Sequence, residues 1–289
     1  MRLFWDTPMT RAGYRAMREE VTRRRGDGWW FPFGKSILGR TLWCLALGAG
    51  SPRVLYVAGH HAMEWLTGNL LLAFAAGEER LPQGTLYLVP CLNPDGAELQ
   101  ILGTTPSCLL AERQRAMNGG DPDFRHWQAN ARGVDLNHNY PAGFEEYRAV
   151  ERELGILGGA PTRFSGEYPL SEPESAAMLS LISMLTPDGV LSLHTQGREL
   201  FFAARAPRTT RLWAEILGRR VGYRAGHPTG AAAYGGLSDT LAEMGIPAVT
   251  VEVGLGENPL PQASLPGLYR EILPLLQYAP HCLEFVNKL

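Results

Sequence analysis

The sequence predicts an α/β fold: a single domain with a mixed, mostly parallel twisted β-sheet and helices on both faces. Two observations carry this. Short runs such as Val54–Ala58 and Val190–His194 are apolar throughout rather than alternating, as strands buried on both faces are. These runs alternate along the chain with longer helical segments, the order that gives a covered sheet. With 289 residues, 45% of them apolar, the chain can bury one large core, and no internal repeat or low-complexity linker divides it. Residues 1–289 are therefore assigned to one domain.

The elements follow in order. An amphipathic helix is expected over about residues 10–25, packed on the domain, with Thr10 as its N-cap. Arg40–Leu47 alternates and reads as a strand, followed by a turn at Gly48-Ala49-Gly50-Ser51. Val54–Ala58 is a buried strand and Glu64–Glu79 a helix. Leu86–Cys91 is a further strand, closed by a turn at Asn93-Pro94-Asp95-Gly96. Ser171-Glu172-Pro173-Glu174 spells a capping box ahead of a helix that reaches about Leu185. Val190–His194 and Ala248–Val253 are two more buried strands, and Arg208–Val221 and Pro266–Leu276 read as helices.

Composition excludes several classes. Net charge is −2, and Arg23-Arg24-Arg25 reads as a solvated helix end, so no nucleic-acid partner is expected. No apolar run is long enough to span a bilayer. The amino terminus, MRLFWDTPMTRAGY, lacks the apolar core of a signal peptide, and a cytoplasmic location is the expectation. Cys44, Cys91, Cys108 and Cys282 are scattered without C-x-x-C spacing and read as buried, reduced thiols.

The chemistry gathers where strands end, because ligands of such sheets bind outside the carboxyl ends of the strands. His61 and Glu64 follow the strand Val54–Ala58, three residues apart at the start of the next helix, and so lie on one side of it. His194 closes a second strand and Glu252 lies near the end of a third. Two His and one Glu form a ligand set of catalytic zinc, with a fourth position left for water. Glu252 is the candidate general base. Taken alone, His-x-x-Glu arises often by chance, and a single His at a strand end is more often a satisfied core or surface residue. The neighbouring segments change those odds.

Gly59-His60-His61-Ala62-Met63-Glu64-Trp65 resembles the zinc-binding segment of the metallocarboxypeptidases. Asn93-Pro94-Asp95-Gly96 and Gly133-Val134-Asp135-Leu136-Asn137 resemble two further signatures of that family, and Thr250-Val251-Glu252-Val253 resembles its general-base segment. The resemblance runs from about Phe33 to the end of the chain. It implies a zinc-carboxypeptidase-like fold, one Zn2+ ion held by His61, Glu64 and His194, and Glu252 as base. It also implies that Asp135 accepts a hydrogen bond from His61, that Asn137 binds a substrate carboxylate, and that Asp239 lies in the specificity region. A narrower similarity is carried by the stretches from Trp127 to His138, Ser165-Gly166-Glu167-Tyr168-Pro169 and Gly256-Glu257-Asn258-Pro259-Leu260. It is to bacterial peptidases that cut γ-D-glutamyl-meso-diaminopimelate in murein peptides.

Three departures stand out. His138 occupies the place of an arginine that grips the terminal carboxylate, and histidine cannot form that fork. Gln128 falls where the oxyanion-stabilising arginine is expected, leaving Arg132 or Arg125 to supply charge. The family's mobile tyrosine aligns with Ala231, with Tyr234 the nearest phenol, so that Tyr234 takes this role by another route or the role is absent.

The leading expectation is a zinc peptidase acting on a murein-derived peptide. A zinc deacylase or amidase of small N-acyl amino acids is the alternative. A catalytically silent module that holds cell-wall peptides is a third.

Overall fold

The apolar runs become the middle of one eight-stranded sheet in the computed structural model, which describes residues 2–26, 28–77, 81–105 and 108–289. Its strands are β1 (Trp29–Lys35), β2 (Thr41–Ala49), β3 (Arg53–Ala58), β4 (Gly84–Val89), β5 (Gly189–His194), β6 (Glu199–Phe201), β7 (Arg224–Gly226) and β8 (Ala248–Glu252). Their order across the sheet is β1-β2-β4-β3-β5-β8-β6-β7. The central four, β4, β3, β5 and β8, run parallel. The β1–β2 hairpin adds an antiparallel margin on one side, and β6 joins β8 antiparallel on the other.

Both faces are covered. Alternate side chains of β3 serve different layers: Tyr56 and Ala58 join one apolar cluster, Leu55 and Val57 the other. On the first face the chain packs α1 (Arg2–Asp6), α2 (Arg11–Arg25), α3 (Leu66–Ala76), α8 (Arg208–Val221) and α10 (Leu265–Val286). The second face receives α7 (Pro173–Leu185) and α9 (Leu237–Glu243). The remaining helices, α4 (Pro94–Leu102), α5 (Cys108–Met117) and α6 (Phe144–Glu153), belong to the connections. As expected, Thr10 caps α2, its hydroxyl accepting from the Gly13 N–H at 3.2 Å.

Several boundaries differ from the sequence reading. The expected turn at Asn93–Gly96 opens α4 instead: Asn93 Oδ1 accepts from the Gly96 N–H at 3.0 Å, and Pro94 takes the first helical position. The capping box at Ser171 does not form. Glu172 is the N-cap, and Glu174 is fully buried, accepting from the Ile37 N–H at 3.0 Å. Glu64 belongs to a 3-10 turn, Ala62–Glu64, ahead of α3. The expected end of that helix at Glu79 lies outside the described residues. Cys108 is exposed, whereas Cys44, Cys91 and Cys282 are buried as expected.

Helix α10 continues past Leu276 to Val286 and holds Pro274 and Pro280 in its interior. A proline inside a helix leaves the carbonyl four residues earlier without its donor. For Pro280 that carbonyl is Leu276 O, and the buried Tyr56 hydroxyl of β3 donates to it at 2.8 Å.

Candidate metal centre

β3, β5 and β8 are parallel neighbours, so their carboxyl ends share one edge. The chain leaves β3 through Gly59, at φ +67°, where an added Cβ would stand 3.3 Å from the Cys91 Cα. That tight turn aims the next residues across the edge. His61 caps the 3-10 turn Ala62–Glu64 in extended conformation. Residues three apart eclipse in a 3-10 turn, and this brings His61 Nδ1 to 3.1 Å from Glu64 Oε1. The last residue of β5, His194, places its Nδ1 3.2 Å from His61 Nδ1 and 3.1 Å from Glu64 Oε2.

These three buried side chains offer donor atoms that all lie within 4.8 Å of one another. Donors at about 2.0–2.2 Å from one tetrahedral ion stand roughly 3.3 Å apart, so the spacing of the triad suits a zinc-sized cation. The tautomers suit it too. His61 Nε2 faces Asp135 Oδ1 at 3.1 Å and His194 Nε2 faces Ser192 Oγ at 3.3 Å, leaving both Nδ1 atoms to converge on the Glu64 carboxylate.

The charges are set by that convergence. Burial works against charge on Glu64, but the two imidazoles outweigh it and hold the carboxyl down to about 2. Burial also opposes charge on His61, while Glu64 and Asp135 raise its pKa well above the ordinary range. Asp135 is fully buried and held well below the usual carboxylate range: burial is overcome by His61, His138 and the Asn137 N–H. Burial lowers His194.

Glu252 ends β8 as the register partner of His194. It is partly buried, and burial together with the nearby Glu64 carboxylate pushes its own carboxyl up to about 8.

The other residues singled out from sequence divide into two groups. Asp135, Asn137 and His138 come together around the next short turn, Leu136–His138. His138 is buried, stacks on Tyr147 with ring centroids 3.7 Å apart, and places Nδ1 2.9 Å from the Tyr234 carbonyl. Burial lowers its pKa, and because a carbonyl can only accept, Nδ1 carries a proton and donates it to Tyr234 O. Asp239 caps α9, accepting from the Gly236 N–H at 3.0 Å, and burial raises its carboxyl to about 6.

Gln128 stands behind Asp135, whereas Arg132 and Arg125 are engaged elsewhere. Gln128 Nε2 donates to Asp135 Oδ2 at 2.7 Å, and its Oε1 accepts from the Thr162 hydroxyl at 3.0 Å. Arg132 is tied to the Glu172 carboxylate and the Ser171 carbonyl. Arg125 pairs with Asp123 at the surface. Tyr234 is 44% exposed, and its backbone carbonyl accepts from His138 Nδ1.

Sequence reasoning missed three neighbours of the triad. Asn258 Nδ2 donates to Glu64 Oε1 at 3.3 Å and to Thr195 O at 2.7 Å. Ser192 bridges His194 and the buried His60, whose other nitrogen meets the Tyr140 hydroxyl at 3.2 Å. His60 and Ser192 could have been found from their places, beside His61 and two residues before His194 on the same strand face. Asn258 lies in the stretch Gly256-Glu257-Asn258-Pro259-Leu260 noted above, but no spacing ties it to Glu64.

Known proteins resemble this chain in sequence and in fold. The family model described as zinc carboxypeptidase matches residues 30–211. A γ-D-glutamyl-L-diamino acid endopeptidase 1 of Lysinibacillus sphaericus is 33% identical over 84% of this chain and 64% of its own length. Murein peptide amidase A of Escherichia coli K12 is 31% identical over 60% of this chain, again with 64% of its own length covered. The chain thus spans a little under two thirds of these two relatives. Among solved structures, a carboxypeptidase A from Helicoverpa armigera superposes with a TM-score of 0.76 at 18% identity, covering 99% of this chain and 76% of that one.

Proposed function

The chain belongs to the zinc carboxypeptidase family, and on that premise we propose that it is a zinc-dependent peptidase that cuts the γ-D-glutamyl–meso-diaminopimelate amide of murein peptides. The observation that carries the reading is the convergence of His61 Nδ1 and His194 Nδ1 on the Glu64 carboxylate, with Glu252 in register beside His194.

In this reading His61, Glu64 and His194 hold one ion. Zinc bound there acidifies water and polarises the scissile carbonyl. Asp135 keeps the proton of His61 on Nε2, so that Nδ1 keeps its lone pair. Gln128 steadies Asp135 from its other oxygen. The carboxylate of Glu252 takes the proton of the attacking water and returns it to the leaving amine. Burial and the Glu64 carboxylate both raise the affinity of Glu252 for a proton, the direction that strengthens a carboxylate as a base.

The substrate assignment rests on the relatives' named substrates and on His138. An imidazole whose Nδ1 already donates to Tyr234 O cannot offer a terminal carboxylate the two-pronged fork of an arginine. That disfavours ordinary C-terminal trimming and favours a substrate with differently placed acids. Asn137 and Asp239 are the proposed substrate contacts, and Arg132 is assigned to holding Glu172.

The test is mass spectrometry of L-Ala-γ-D-Glu-meso-diaminopimelate incubated with the zinc-loaded protein beside a chelated control. Metal-dependent release of free diaminopimelate is expected. An uncut peptide with one zinc bound per chain would overturn the substrate assignment, and cleavage of N-acyl amino acids instead would replace it with a deacylase.

A further inference from the structure

A cavity of about 710 Å³ opens away from the triad, between the start of α2, the β1–β2 hairpin and α4. Helix α4 also packs on the turn that carries Glu64, so it walls the cavity on one side and backs the metal centre on the other. The volume lies within the range of small-ligand sites.

Its charge is lopsided. Arg11, Arg15, Arg18, Lys35 and Arg40 line it, against Glu98. Arg40 is satisfied by Asp95 at 3.0 Å and by Glu98 at 2.7 Å. Arg15 meets Glu19 only loosely, at 3.9 Å and well exposed. Lys35 donates to a neutral group, the Thr41 hydroxyl, at 2.7 Å. Counting Asp95 and Glu19 as well, five cations meet three carboxylates in a chain whose net charge is −2.

Arg18 is the informative member. Its guanidinium carbon lies 3.8 Å from the centre of the Trp43 ring and 4.8 Å from that of Trp30. Its Nε is buried without a hydrogen-bond partner among the described residues. Burial lowers its pKa. A guanidinium laid on an indole is held in one plane, so with Nε buried its terminal Nη pair is the part that can meet a carboxylate or phosphate end-on, and little side-chain freedom remains to be lost on binding.

We propose that this cavity is a binding site for a small anion carrying two or more carboxylate or phosphate groups, with Arg18 as its anchor and Arg11, Arg15 and Lys35 as the surrounding charge. The site is separate from the metal centre and does not depend on which amide the protein cuts.

Isothermal titration of the zinc-loaded full chain with propane-1,2,3-tricarboxylate and, separately, with fructose 1,6-bisphosphate tests it. One-to-one binding of at least one probe is expected, with Kd at or below about 1 mM. It should weaken about tenfold or more in Arg18→Met and as salt rises. The tighter probe identifies the source of the anion as carboxylate or phosphate. Zinc content of Arg18→Met should match the parent, which reports an intact fold. The pair Arg11→Gln and Lys35→Gln, farther from the aromatic stack, serves if Arg18→Met does not fold. Failure of both probes to saturate at about 10 mM, or binding undiminished by these substitutions, would overturn the proposal. An anion that goes to the metal instead gives the second of those results.

Discussion

His194 and Glu252 are direct partners in the register of two adjacent parallel strands, β5 and β8. The proposed metal ligand and the proposed proton acceptor are thereby held by one backbone ladder, with no loop between them to set their separation. This makes the roles of the two residues separable by substitution.

Glu252→Gln keeps the size of the side chain and removes its basicity. Zinc content should stay near one per chain while kcat on the murein tripeptide falls by about a thousandfold. Turnover within a few fold of the parent would take Glu252 out of the mechanism. His194→Ala should instead lose the metal, and full zinc occupancy in that variant would refute its role as ligand.

Asp135 accepts from His61 Nε2 at one oxygen and from Gln128 Nε2 at the other. Asp135→Ala should weaken zinc affinity by about 10–100-fold in competition with a chelator. Gln128→Leu removes the neutral donor alone and should weaken it less. If the order were reversed, Gln128 would be acting on more than Asp135.

Glu174 gives a pH dependence of stability away from the metal. Burial raises its carboxyl from an ordinary value of 4.5 to about 8 in the fold. The folded state then binds the proton more tightly than the unfolded one, so this position favours folding most below about 4.5 and loses that contribution as pH rises toward 8. Glu174→Gln keeps an acceptor for the Ile37 N–H and cannot ionise. Its melting temperature relative to the parent should climb by roughly 3 °C or more between pH 5 and pH 8. A constant difference over that range would mean Glu174 does not titrate there.

His138→Arg puts the missing fork beside Asn137. Relative kcat/KM for simple C-terminal substrates over the murein tripeptide should rise by about tenfold or more. An unchanged ratio would show that this position does not set specificity.

Much of the proposed centre is legible in the sequence because side chains that could share a metal obey local rules. His61 and Glu64 sit at a fixed spacing after an apolar strand, and His194 and Glu252 end two others. The parallel order that unites them follows from uniformly apolar runs. What escaped has physical reasons as well. β1 contains Pro32 and Gly34, where its register shifts, and only an edge strand tolerates that, so its sequence does not read as a strand. Asn258 lies in a loop whose course is set by tertiary packing. Gln128 looked like a reduced arginine, but its partners, Asp135 and Thr162, come from segments whose approach no spacing reveals. Glu174 spelled a capping box and was drawn into the core by Ile37 from 137 residues away.

The contact between Tyr56 and the Leu276 carbonyl makes two distant positions genetically dependent. Pro280 is tolerated in α10 because residue 56 supplies the hydrogen bond that residue 280 cannot. Tyr56→Phe alone strands a buried acceptor, and Pro280→Ala alone offers that acceptor a second donor. Together the two changes restore an ordinary helical bond, so the double variant should be less damaged than the separate effects would add up to. A lineage that lost the tyrosine would be under pressure to lose the proline as well, and the strand leading to His61 would register the order in which it did so.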